Sequence, residues 1–134
     1  MATTTATITL SSTDLLSDEL SLNTTATMTA AGNSTGLTLA SGLSRKKVAG
    51  AHGQYTLFDG SAYTADKAHK VYLKNISTTA AEYFLITVNA EDVGRLYAGD
   101  WALFPWSAHD NDCDIKIDPS ANDMTLEYML FIDE

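Results

Sequence analysis

The residues best suited to chemistry stand together in His109-Asp110-Asn111-Asp112-Cys113-Asp114. Asp110, Asp112 and Asp114 have the spacing at which a calcium loop offers its first hard oxygen donors. The pattern then breaks. Counting from Asp110, the sixth position is Ile115 rather than glycine, and the twelfth is Ala121 rather than glutamate. For zinc, His109 and Cys113 lack a second pair, and His52 and His69 are distant in sequence. Ser107 and His109 come without a nucleophile elbow or an oxyanion-hole glycine motif. Cys113 sits between Asp112 and Asp114, whereas a reactive thiol needs a cationic neighbour. No glycine loop is built to cradle a phosphate or a dinucleotide. The expectation is a protein that is not an enzyme, with no catalytic residue, no cofactor and no bound metal.

The elements that position these residues are strands. The strongest pattern is Val93-Gly94-Arg95-Leu96-Tyr97-Ala98-Gly99-Asp100-Trp101-Ala102-Leu103-Phe104-Pro105-Trp106, which carries both tryptophans of the chain. It reads as a hairpin: Gly99 accepts a positive φ, and Asp100 can hydrogen-bond its own backbone. Aromatic side chains bury the largest apolar areas, so this hairpin is expected to anchor the core. Trp101 and Trp106 have opposite parity, and in a regular strand they point to opposite faces. Both cannot lie in one sandwich core unless both faces are covered or the strand is bulged, which favours at least one contact outside the monomer.

The first forty residues are dense in Thr and Ser and hold no Lys or Arg before Arg45. Thr5 to Leu10 predicts a strand. Ser12 to Leu20 is the one helix candidate, with Ser12 or Thr13 as N-cap and Leu15, Leu16 and Leu20 on one face. Ser21 to Thr29 predicts a second strand, and Leu37, Leu39 and Leu43 begin a third. Arg45-Lys46-Lys47 reads as a solvated loop or a contact to an acidic neighbour. Gln54 to Phe58 is a strand. From Lys70 onward the alternation sharpens, with Val71, Leu73 and Asn75 on one face. Tyr83 to Val88 is almost wholly apolar, and Asp114 to Asp118 alternates. In the last strand Met124, Leu126, Tyr128, Leu130 and Ile132 share a face. Met129 and Phe131 on its reverse call for a cover, either a second sheet or another subunit.

Short strands punctuated by turn signals, with no βαβ rhythm, predict an all-β antiparallel sandwich, jelly-roll-like, with an extended Thr/Ser-rich N-terminal arm. The boundary is expected between an arm at 1–44 and a sandwich at 45–134. The chain has 134 residues, a length suited to one structural domain. Its net charge of −9 disfavours nucleic acid and anionic membrane surfaces as partners. The start shows no secretory pattern, and no apolar run is long enough to span a bilayer.

The strand Val71-Tyr72-Leu73-Lys74-Asn75-Ile76, the run Tyr83 to Val88 and the stretch Val93 to Trp106 together resemble small β-sandwich structural proteins of tailed-bacteriophage virions. The resemblance covers the second half of the chain well and the Thr-rich start loosely. It implies a capsid decoration (cement) protein that bridges subunits of the major capsid protein on the virion surface. Such a protein would be made in the host cytoplasm and would self-associate. The contact residues expected on that reading are Leu15, Leu16, Leu20, Arg45, Lys46, Lys47, Trp101 and Trp106. The alternative is a tail, baseplate or fibre component with a carbohydrate- or receptor-binding sandwich, which would need an exposed tryptophan beside the acidic loop at His109 to Asp114.

Overall fold

The computed structural model describes residues 3–15, 17–109 and 113–134. Among them are eleven strands, a short 3-10 turn at Gly60–Ala62 and no α-helix. The strands are β1 (Thr5–Ser12), β2 (Leu20–Thr27), β3 (Leu39–Ala40), β4 (Ser44–Val48), β5 (Tyr55–Phe58), β6 (His69–Asn75), β7 (Tyr83–Val88), β8 (Glu91–Tyr97), β9 (Trp101–Trp106), β10 (Ile115–Pro119) and β11 (Met124–Ile132). All pairings are antiparallel.

The wrapping follows one rule. From β4 onward the chain is a long hairpin that pairs β4 with β11, β5 with β10, β6 with β9 and β7 with β8. Successive pairs go alternately to two sheets, and β11–β6 and β10–β7 pairings complete them. One sheet has the order β5-β10-β7-β8; the other is β3-β11-β6-β9 with β4 also on β11. This is the jelly-roll form of the antiparallel sandwich, so the expected fold class holds. The hairpin's apex is the two-residue turn Asn89-Ala90, at φ 53° and 60°. That is a type I′ turn, whose twist matches the strands on either side.

Period-two alternation builds the core. Val71, Leu73 and Asn75 of β6, Ile115 and Ile117 of β10, and Met124, Leu126 and Leu130 of β11 point inward with Phe84, Ile86, Phe58 and Trp106. The β1–β2 hairpin forms its own two-stranded sheet. A small second cluster, Met28, Leu37 and Phe131, joins its root to the outer face of the β11 sheet. Part of the cover that Phe131 required is therefore the N-terminal segment of the same chain rather than the second sheet.

Three further expectations are corrected. The described residues of Ser12 to Leu20 form no helix: β1 runs through Ser12 and β2 begins at Leu20. The Ser12 hydroxyl does accept the amides of Asp14 and Leu15. One capped turn, with Leu15 exposed rather than packed, cannot meet the cost of helix nucleation. Arg45-Lys46-Lys47 is no loop but the middle of β4, laddered to Leu126 and its neighbours in β11. Finally, Val93 to Trp106 is not a hairpin. β8 pairs with β7 in one sheet and β9 with β6 in the other, so Ala98-Gly99-Asp100 is a corner where the chain changes sheets. The Gly99 amide donates to the Asn75 carbonyl, and the Asn75 amide donates to that of Asp100. These bonds fasten the corner to the end of β6 rather than closing β8 onto β9.

Candidate interaction surfaces

The two tryptophans separate as their parity requires. Trp106 is enclosed at 3% exposure among Phe58, Tyr63 and His69, and its indole N–H donates to the Cys113 carbonyl at 2.8 Å. It offers no surface to a partner, which corrects its assignment as a contact residue. A sugar-stacking role beside the acidic loop fails for the same reason. Trp101 is 52% exposed on the outer face of β9, opposite Lys74. β9 and β8 are the last strands of their sheets on the same side of the sandwich, so among the described residues both leave an unpaired edge. Tyr97 and Trp101 flank the corner between them, and both are largely exposed. Opposite Ile86 and Thr87, the β8 register skips from Gly94 to Asp92. This bulge leaves Val93 unpaired and 61% exposed. The Arg95 guanidinium lies 4.6 Å from the centre of the Tyr83 ring, and Tyr83 packs on Tyr97 at 5.2 Å.

The basic cluster is committed within the chain. Arg45 pairs with Glu127 at 3.1 Å and Lys47 with Asp123 at 3.2 Å, both on the outer face. Lys46 alternates to the face shared by Val48 and is half-buried. Glu127 also accepts the Tyr72 hydroxyl. Burial first, and this bond second, raise the Tyr72 phenol above its ordinary range. Among the leucines expected at contacts, Leu15 is 69% exposed and Leu20 half-buried; Leu16 lies outside the described residues.

Of the acidic loop, Asp110 and Asp112 also lie outside the described residues. Asp114 accepts the Gly60 amide at 2.8 Å, which ties β10 to the 3-10 turn. No three His, Cys, Asp or Glu side chains converge among the described residues. His69 is fully buried and uses both ring nitrogens, bonding the Thr64 carbonyl through Nε2 and accepting the Asp133 amide at Nδ1. The Asp133 carboxylate in turn accepts the amides of Ala31 and Ala68, each at 2.9 Å. Those two donors, Ala31 first, hold its carboxyl below the usual range.

Two features escaped sequence reasoning. The first is the pattern of the β1–β2 ribbon. Pairing Leu10 with Leu22 and Ile8 with Thr24 places Ala6, Ile8, Leu10, Leu20, Leu22 and Ala26 on one face. The opposite face is Thr, Ser and Asn throughout. Alternation within each strand carried the signal, but Ala and Thr dilute it. The second is a groove of about 310 Å³ on the outer face of the β11 sheet, lined by Met28, Leu43, Tyr72, Leu103, Met129 and Phe131 with Glu127. Its residues come from distant parts of the chain, so no local pattern announces it. Comparison with family models, characterised proteins and solved structures finds no match to this chain.

Proposed function

We propose that the protein is a capsid decoration (cement) protein of a tailed bacteriophage, a non-enzymatic virion component that stabilises the head by bridging subunits of the major capsid protein. The observation that carries this reading is the β8–β9 side. Two sheet edges there lack partners among the described residues, and Val93, Tyr97 and Trp101 are exposed at 61%, 40% and 52% beside a core that is complete without them. An open edge offers main-chain donors and acceptors to a foreign strand, and an exposed indole is the commonest kind of energetic anchor at an interface. The resemblance of Val71 to Ile76, Tyr83 to Val88 and Val93 to Trp106 to phage structural proteins supplies the setting. Repetition over a lattice converts contacts of modest strength into avidity.

The test is add-back to particles stripped of this chain. Restored protein should raise the temperature at which the head releases its genome. Trp101→Ala should bind those particles at least about thirtyfold more weakly, as expected for a hot-spot tryptophan worth about 2 kcal/mol. Equal heat resistance with and without the chain would overturn the proposal. Glycan binding that disappears in Trp101→Ala would favour the carbohydrate-binding alternative, for which the exposed indole is the one supporting observation.

A further inference from the structure

The groove on the β11 sheet and the ribbon of β1 and β2 are two uncovered apolar surfaces in one chain. We propose that they are halves of a single contact: the apolar face of the ribbon of one copy docks into the groove of a second copy.

Three observations converge. The ribbon's apolar side chains collect toward its far end, where Leu10, Leu15 and Leu22 are exposed at 49%, 69% and 45%. A lone two-stranded ribbon is marginal in water, so its apolar face gains most from a cover. Secondly, the charges are complementary. The turn joining β1 to β2 carries Asp14, Asp18 and Glu19, and no Lys or Arg precedes Arg45. Lys74 stands at the groove opposite Glu127 and Trp101; Arg45 is paired with Glu127 and the Lys70 ammonium donates to the Ala68 carbonyl, so three cations flank the groove around the single carboxylate of Glu127, with Lys74 the one that meets the acidic turn. Thirdly, the ribbon touches its own groove at the root alone, where Ala6 packs with Met28, Leu103, Met129 and Phe131, and its far end lies away from that groove. Met28 lines the groove and its amide bonds to the Thr4 carbonyl at the ribbon's root. An eight-residue strand carries the tip about 26 Å from that root, which sets Leu10, Leu15 and Leu22 apart from the groove of their own copy. Donor and acceptor are thus different surfaces, and the contact runs head to tail, which closes into a ring or extends along a lattice.

The experiment is sedimentation of the full chain across a range of concentrations, with a ribbon variant (Leu10→Asp with Leu22→Asp) and a groove variant (Leu43→Asp). All three changes are at exposed positions, and circular dichroism checks that each variant folds. The wild-type chain should self-associate, and each variant should do so at least about tenfold more weakly. Mixed together, the variants should form a one-to-one pair, because one keeps an intact groove and the other an intact ribbon. A monomeric wild type, a folded variant that associates as before, or a mixture that fails to pair would each overturn the inference. It does not rest on the capsid reading, since the isolated chain is measured and no particle is involved.

Discussion

Asn75 is the residue on which the corner between the two sheets depends, and its replacement gives the sharpest test of the fold. Its side chain is fully buried. The amide nitrogen donates to the carbonyls of Glu82 at 3.2 Å and Leu96 at 3.0 Å, and the amide oxygen accepts from Ser77 at 3.0 Å. Asn75→Ala deserts two carbonyls and one N–H. Each would cost roughly 1–3 kcal/mol if left dry. Ser77 and Glu82 are half-buried and regain water, so the expected loss is about 3 kcal/mol, a large part of the 5–15 kcal/mol typical of a domain. Asn75→Asp keeps the shape but aims an anion at two carbonyl oxygens. Burial raises that carboxyl's pKa, so the variant's deficit against wild type should be greatest at neutral pH and shrink as the acid is protonated. Urea titrations followed by tryptophan fluorescence measure both quantities, with an unchanged denaturant slope as the control. A loss below about 1 kcal/mol in Asn75→Ala, or a deficit in Asn75→Asp that ignores pH, would refute the account of the corner.

Other outcomes follow from the same geometry. Trp106→Ala empties a site at the centre of the aromatic cluster and should cost about 3–5 kcal/mol, whereas Trp101→Ala should change stability by less than about 1 kcal/mol; paired urea melts decide this. Ala90→Gly should add about 1 kcal/mol in the same assay, because Ala90 holds φ at 60° in a turn that glycine enters without strain. The depressed carboxyl of Asp133 contributes stability that is fully present above its unfolded value of about 3.9 and is lost as the pH falls through its folded value. Thermal melts from pH 6 to about pH 3 should therefore show a steeper acid decline in wild type than in Asp133→Asn.

Alternation alone was enough for much of this molecule. The inward faces of β6, β10 and β11 could be read from Val71, Leu73, Ile115, Ile117, Leu126 and Leu130, because a strand's period of two is a local property of the backbone. Opposite parity also separated Trp101 from Trp106 without coordinates. It could not say which of them lies inside, since that depends on which sheet β9 joins. The stretch Val93 to Trp106 has every local mark of a hairpin, yet β8 and β9 part at Gly99 because their ladder partners, β7 and β6, lie in different sheets. Ser12 has the marks of a helix cap but Leu15 stays exposed, and pairing between β1 and β2 overrode the helical pattern. The residue types thus determined the class of structure and the inward face of its best-patterned strands. Long-range pairing alone decided the corner, the groove and the amphipathic ribbon, because each is assembled from positions whose neighbours in space are not their neighbours in the chain.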